Sequence, residues 1–300
     1  MNVVVAGGTG FIGSTLVSKL LLAGHEVVLL TRSLLEGPAV SGVTRVRWDG
    51  KTQGEWASHL RGADAVINLA GESIGSGRWT RVRKVRILAS RVGASRALIE
   101  ALRVSERRPS VIISSSAVGY YGSVTSGDVA ESHGPGSGFL SDVCVRWEQE
   151  ALALGELASR LVVLRTGVVL GREGGALGKM VLPFRLFAGG PIGSGKQWFP
   201  WVHADDVAGV ILFALANPAL EGPVNVVAPG IVDMRAFCSA LGVALSRPSW
   251  LPVPSLALRA VLGEMADMVL TGQRAVPAKL LALGYPFAHP ELGEALRSVL

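Results

Sequence analysis

Val3-Val4-Val5-Ala6-Gly7-Gly8-Thr9-Gly10-Phe11-Ile12-Gly13 reads as an apolar strand that runs into a glycine-rich turn and then a helix. Gly8, Gly10 and Gly13 fit the spacing G-x-G-x-x-G. In that pattern the glycines serve a tight turn, the close approach of backbone to a pyrophosphate, and the packing of helix on strand. The helix expected from about Gly13 to Ala23 turns its unpaired amino-terminal amides and positive dipole end toward such phosphates. Leu16, Leu20 and Leu21 give it an apolar face, and the apolar run Val27 to Leu30 completes a β-α-β unit. This context supports a dinucleotide site over a purely structural turn.

At the end of the second strand an NAD site carries Asp or Glu for the ribose diol. This chain has Thr31-Arg32-Ser33 there, and neither Glu26 nor Glu36 falls at the strand terminus. A guanidinium takes a ribose phosphate in bidentate hydrogen bonds, so Arg32 points to NADP(H); the other reading is a solvated surface arginine.

The 300 residues, 49% of them hydrophobic, suffice for one large domain or a domain with a smaller companion. Mean hydropathy is +0.42, yet no apolar run approaches a membrane-spanning length, and Val207 to Ala216 suits a buried helix. Met1-Asn2 leads straight into the first strand without a charged region and cleavage site, so a cytoplasmic chain with no membrane partner is expected. Cys144 and Cys238 give neither metal spacing nor a disulfide framework, and no metal is expected. The net charge of +6 is densest from Arg78 to Arg86. Val82, Val85, Ala89 and Val92 recur at helical spacing, which places those cations on the outer face of an amphipathic helix. With no nucleic-acid motif beside them, nucleic acid is not an expected partner.

Apolar runs at Val3 to Ala6, Val27 to Leu30, Thr44 to Trp48, Ala65 to Leu69, Val111 to Ser114 and Leu161 to Arg165 alternate with helical segments. The pattern is that of an α/β protein with a Rossmann-type, doubly wound parallel sheet and a ligand across the carboxyl ends of the strands. Beyond Arg165, Gly- and Pro-rich stretches from Gly171 to Pro200 and from Pro248 to Pro254 mark a smaller, substrate-facing carboxy-terminal region.

Chemistry in such a sheet belongs to the loops at strand ends. Glu72, after Asn68-Leu69-Ala70-Gly71, is either an acid or base or a glutamate facing water. In Ser114-Ser115-Ser116-Ala117-Val118-Gly119-Tyr120-Tyr121-Gly122, Ser116 is placed to bond a substrate carbonyl or hydroxyl, or else to satisfy its own loop. Arg165-Thr166-Gly167-Val168-Val169 offers backbone to a nicotinamide pocket.

These motifs, with Val202-His203-Ala204-Asp205-Asp206-Val207-Ala208, resemble the extended short-chain dehydrogenases/reductases over most of the chain. More narrowly, Arg78-Trp79, Ser90-Arg91, Gly189-Gly190-Pro191-Ile192-Gly193-Ser194-Gly195, Gln197-Trp198-Phe199-Pro200-Trp201 and Gly272-Gln273-Arg274 resemble the atypical epimerase-like family that includes the YfcH-type bacterial proteins. The resemblance implies an epimerase-type domain over 1–225, with 172–200 as a substrate-side lid, and a small carboxy-terminal domain over 247–297. It further implies NADP(H) contacts at Gly7, Gly10, Phe11, Ile12, Gly13, Thr31, Arg32, Leu69, Ala70, Gly71, Arg91 and Val168.

One departure stands out. Extended dehydrogenases carry a Tyr-x-x-x-Lys pair on the helix after the serine loop, for proton transfer. Aligning Glu148 with the glutamate that usually follows the lysine puts Leu140 and Cys144 in those places. Substitutes are Tyr120 or Tyr121 beside Ser116, or His203, although packing and capping are the simpler roles for these side chains, with Asp206 starting the next helix. Gly190 to Lys196 nearly matches a phosphate-binding P-loop but continues with Gln197 where Ser or Thr is needed. Lys196, Trp198 and Trp201 read either as a lid with indole faces or as interface packing.

Two functions follow from the resemblance and this departure. One is an NADP(H)-dependent oxidoreductase or epimerase-like enzyme acting on an unidentified small molecule, with Ser116 and Tyr121 as catalytic candidates. The other is a non-catalytic NADP(H)-binding redox sensor or scaffold, in keeping with the link of the family to cell or organelle division. The oligomeric state stays open.

Overall fold

Seven strands form one all-parallel sheet: β1 (Asn2–Ala6), β2 (Glu26–Thr31), β3 (Val43–Arg47), β4 (Ala65–Asn68), β5 (Val111–Ala117), β6 (Leu161–Thr166) and β7 (Gly222–Val226). Their order is β3-β2-β1-β4-β5-β6-β7, which puts the reversal of strand order between β1 and β4. The computed structural model describes residues 1–34, 40–172 and 174–300, so Glu36 lies outside the described residues. Among the helices, α1 (Phe11–Leu22), α2 (Arg81–Arg103), α3 (Phe139–Gly155), α4 (Leu177–Arg185), α5 (Ala204–Ala216) and α6 (Met234–Leu245) position the strand-end loops.

Side chains alternate across the sheet with the period of two that a pleated strand imposes. Val3, Val5, Val27, Leu29 and Ile67 meet Leu16 and Leu20 of α1 and Val207 and Ile211 of α5 on one face. Val4, Ala6, Val28, Leu30 and Val66 meet Ala94, Leu98 and Leu102 of α2 on the other, with Trp48, Trp56 and Leu60. Both faces are covered, which is why the strands read as continuous apolar runs.

Several boundaries differ from expectation. β3 begins and ends one residue early, at Val43 and Arg47, and Trp48 N–H makes the last bond to β2, at Thr31 O, 2.8 Å away. β5 runs on through Ala117, since Ser115 and Ser116 pair with Leu164 and Arg165. β7 is a seventh strand beyond the six apolar runs: it pairs with Val162 to Thr166 at the sheet edge, where Pro223 costs no ladder bond to a further strand.

The expected core stripe of α2 is corrected outright. Val82 and Val85 are 70% and 67% exposed, whereas Ile87, Ala94, Leu98 and Leu102 are buried. The first turn is instead held by polar tethers. Thr80 caps it by accepting Arg83 N–H, Arg83 pairs with Glu72, and Lys84 pairs with Glu264. Arg83 and Lys84 thus face the protein, Arg81 and Arg86 stay exposed, and the two valines face water.

A further core joins Leu177, Val181 and Phe184 around α4 to Phe237 and Leu241 of α6 and to Leu292 and Leu296 of the last helix, Leu292–Val299. The carboxy-terminal residues reach other cores as well, with Leu280, Ala275 and Met268 in different clusters. Trp201 is packed in the α4–α6 core at 1% exposure with Nε1 donating to Gly230 O, so its indole offers no free face to a ligand.

Under the ends of β5 to β7 lies a buried ion pair. Glu148 of α3 takes Arg165 Nε and Nη2 at 3.0 and 2.8 Å and the Ser116 hydroxyl at 2.6 Å. Arg165 Nη1 donates to Tyr121 OH and to Glu131 O, while Tyr121 OH donates to Asn225 Oδ1 at 2.6 Å. Asn225 in turn bonds Val129 O and Val276 O, which ties the carboxy-terminal segment to the sheet. Glu148→Gln leaves Arg165 short of its countercharge and is expected to cost about 3–5 kcal/mol in urea unfolding, against at most about 1 kcal/mol for Arg107→Ala at the exposed Asp64 pair.

His203, not Asp206, caps α5: its Nδ1 accepts Asp205 N–H at 3.0 Å, and its Nε2 lies 3.2 Å from Ser298 Oγ. Asp206 is fully buried and instead accepts the N–H groups of Ala288 and His289. Burial, and then the stacked His289 ring at 3.8 Å, lower the His203 pKa; Asp205 and Asp206 oppose this, and Lys19 adds to it. A histidine held neutral in the fold binds fewer protons than in the unfolded chain, so stability is full above the unfolded value of about 6.5 and falls as pH drops through the lowered value. His203→Asn keeps a capping acceptor without the titration. Stability is expected to fall less steeply in this variant than in the wild type between pH values of about 7 and 5, read by thermal unfolding.

Candidate functional site

The turn after β1 is fixed by sterics. Gly7 has φ +81°, and a β-carbon there would lie 2.8 Å from the Leu69 carbonyl carbon. Gly7 is therefore the left-handed turn residue, while Gly8 is needed for packing: its β-carbon would meet Leu29 Cδ1 at 2.2 Å. Gly13 serves helix–strand contact as expected, with Gly8 Cα only 2.4 Å from its missing β-carbon. At Gly10 the nearest atom is Gly7 O at 3.3 Å, and otherwise that side is open. α1 starts at Phe11 with no side-chain cap and no acidic residue in its first turn, which leaves amides and dipole for an anion. The Phe11 ring lies against Gly171, Gly174 and Gly175, whose missing β-carbons would come within 2.7, 2.7 and 3.0 Å of it. Ile12 packs against the sheet core.

The neighbouring strand ends converge on this turn. Thr31 is buried and its Oγ1 accepts Ser33 N–H at 3.3 Å, leaving Arg32 exposed just beyond β2. Leu69 N–H donates to Ala6 O, and Ala70 N–H donates to the buried Asn68 side chain, itself held by Ser95. Gly71 lies under Arg91, whose Cζ is 3.2 Å from the missing β-carbon. Arg91 Nη1 donates to Glu72 O and Ile87 O, and its guanidinium stacks 4.9 Å from the Trp147 ring. Gly7, Leu69, Ala70, Gly71 and Arg91 are thus assembled into one wall. Val168, past β6, has its N–H committed to Pro200 O at 2.7 Å, so only its remaining surface is available to a ligand. Glu72 is clamped by Arg83 and Arg86 at 3.2 and 3.1 Å and is no free acid or base.

Ser116 and Tyr121, the expected chemical groups, have their hydroxyls engaged inside the protein. Ser116 is 4% exposed and donates to Glu148, while Tyr121 is 1% exposed and lies between Arg165 and Asn225. Burial raises the Tyr121 pKa, with Arg165 opposing, so the phenol stays protonated. Leu140 and Cys144 of α3 pack against Gly119, 3.4 and 3.7 Å from its missing β-carbon. Burial, and then Glu148, push the Cys144 thiol up to about 11, so it brings no charge to the place where a lysine would stand. Trp198 is half-buried with Arg274 over its ring at 5.3 Å, and Lys196 is exposed with its N–H on Ser194 Oγ.

Sequence reasoning used Glu148 only as an alignment marker and passed over Glu131 and Asn225. Asn225 lies on the strand that went unrecognised, and Glu131 follows an irregular loop; nothing in their spacing announces a shared network.

Residues 3–228 match the NAD dependent epimerase/dehydratase family, and residues 253–299 match a domain of unknown function, DUF1731. The Epimerase family protein SDR39U1 of Bos taurus is 43% identical over the whole of both chains. A chloroplastic SDR39U1 homolog of Arabidopsis thaliana is 41% identical over all of this chain and 87% of its own. The crystal structure of human SDR39U1 (isoform2) with NADPH superposes with a TM-score of 0.90 at 40% identity, covering 100% of this chain and 99% of that one. Among the described residues no helix is long and apolar enough to cross a membrane. Since the match runs from the first strand of the sheet through the seventh, and the relatives align from end to end, the chain belongs to the NAD dependent epimerase/dehydratase family.

Proposed function

We propose that this protein binds NADP(H) across the ends of β1, β2 and β4 and acts as an oxidoreductase or epimerase-like enzyme on a small molecule, without a Tyr-x-x-x-Lys pair. The uncapped start of α1 beside the open side of Gly10 carries the reading. Phe11, Ile12 and Gly13 offer amides to the pyrophosphate, Thr31 and Arg32 face the adenosine ribose, and Leu69, Ala70, Gly71, Arg91 and Val168 border the nicotinamide half. When bound, the dinucleotide supplies or accepts a hydride. The human relative crystallised with NADPH supports the choice of dinucleotide.

In this reading Ser116 and Tyr121 form the floor of the site and hold its shape through Glu148 and Arg165, so that neither exchanges a proton with the substrate while those bonds stand. Residues 1–225 are the cofactor domain, with 172–200 as its lid, and 247–297 a small domain closing the substrate side. A reducing compartment suits the two buried, unpaired cysteines, and a cytoplasmic setting is part of the proposal. The sensor reading is favoured by one observation, the apolar packing of Leu140 where a reacting phenol would stand.

Calorimetric titration tests the cofactor assignment. Arg32→Ala is expected to weaken NADPH by about 1.5–3 kcal/mol, the value of a hydrogen bond to a charged group, and to leave NADH unchanged. Gly10→Asp, which sets a carboxylate against the phosphates, should abolish both. Equal losses for NADPH and NADH in Arg32→Ala would overturn the role of that residue.

A further inference from the structure

Where the carboxy-terminal segment meets the start of α5, three donor atoms face one another. His203 Nδ1 lies 3.6 Å and His289 Nε2 3.7 Å from the same oxygen, Asp205 Oδ2, and the donor atoms of the three side chains fall within 4.8 Å of one another. The two imidazole rings stack at 3.8 Å between centroids with a tilt of 37°. The turn into α5 brings His203 and Asp205 together, whereas His289 arrives from far along the chain and is fixed by its N–H on Asp206 Oδ2 at 3.0 Å.

The hydrogen bonds prepare these atoms for a cation. His203 Nδ1 accepts the Asp205 N–H, so the ring proton sits on Nε2, which donates to Ser298 Oγ at 3.2 Å; that hydroxyl donates in turn to Ala295 O. A metal-bound histidine is held in the same way, with one nitrogen free of hydrogen and the other donating to a second group. At His203 the ion takes the place of the capping N–H. His289 Nε2 and Asp205 Oδ2 have no hydrogen bond to give up among the described residues. Tetrahedral zinc, with bonds of about 2.0–2.2 Å to nitrogen and oxygen, sets its donors about 3.4 Å apart, a few tenths of an ångström inside the two spacings to Asp205.

The local charge admits a cation. Lys19 Nζ, 3.4 Å from Asp205 Oδ1, and the positive amino-terminal end of α5 oppose one. Against that ammonium and roughly half a charge from the helix stand two carboxylates, which leaves the balance negative. Asp206 is fully buried, accepts the N–H groups of Ala288 and His289, and has no ion pair among the described residues.

We propose that His203 Nδ1, Asp205 Oδ2 and His289 Nε2 bind one divalent transition ion of the zinc class, with water completing the tetrahedron. Two imidazoles and a carboxylate suit such an ion and not calcium or magnesium, which take oxygen ligands. The Asp205 and His289 side chains are 41% and 20% exposed, so the ion enters from their side. Bound there, it joins the loop at His289 to the first turn of α5 and clamps the carboxy-terminal segment to the sheet. This assignment is independent of the cofactor reading.

The test is calorimetric titration of the full chain, stripped with a chelator, with zinc chloride, and with magnesium chloride as comparator. One zinc per chain should bind and raise the unfolding temperature, as a ligand selective for the folded chain does, and magnesium should not bind. His289→Ala and Asp205→Asn should each weaken zinc roughly tenfold or more, while the fold, read by circular dichroism, holds. His133→Ala, at a histidine outside the group, should bind zinc as the wild type does. Nitrogen-15 spectra of the histidine rings should show zinc moving the His203 Nδ1 and His289 Nε2 signals. No heat of zinc binding, zinc binding unchanged in both His289→Ala and Asp205→Asn, or unmoved signals from these two nitrogens would overturn the proposal.

Discussion

The pairing of Glu148 with Arg165 is the constraint on which the strand-end architecture depends. Two opposite charges this deeply buried are tolerable only when nearly every donor and acceptor around them is used, and here Ser116, Tyr121, Glu131 and Asn225 meet that need. The network reaches from α3 through β5 and β6 to β7 and, by Val276, into the carboxy-terminal segment. Its geometry sets the depth at which the serine loop lies and the angle at which Leu140 and Cys144 approach it. The Ser116 hydroxyl, a catalytic candidate in the sequence, is bonded to Glu148 within this network.

The cofactor half of the site was legible because its physics is local. A turn that only glycine can make, a helix start left uncapped and a cation after the second strand are all written in adjacent residues. The remainder depends on residues far apart in sequence. The face of α2 was misread because Val82 and Val85 keep the right spacing, while Glu72, from the loop before the helix, and Glu264, from the carboxy-terminal region, pair with Arg83 and Lys84 on the inner side. The edge strand that carries Pro223 went unread, and its pairing needs only its partner side. Asp206 sits where a cap is expected, yet the acceptor used is His203, since the loop at Ala288 and His289 claims the carboxylate.

The carboxy-terminal segment is the less predictable element of the fold. Met265 and Met268 complete a surface begun by Leu140 and Phe139, so two distant stretches of chain jointly define one chemical environment.

The contact of Phe11 with Gly171, Gly174 and Gly175 also constrains how such chains can diverge. The ring occupies the volume that three side chains would otherwise fill. A homologue that gains a β-carbon at Gly171 or Gly174 needs a smaller residue at position 11, whereas Gly175, with φ +75° and Val169 O 2.7 Å from its missing β-carbon, stays glycine whatever stands there. The first turn of the nucleotide-binding helix and a loop some 160 residues later therefore form a single unit of inheritance, exchangeable between relatives only together.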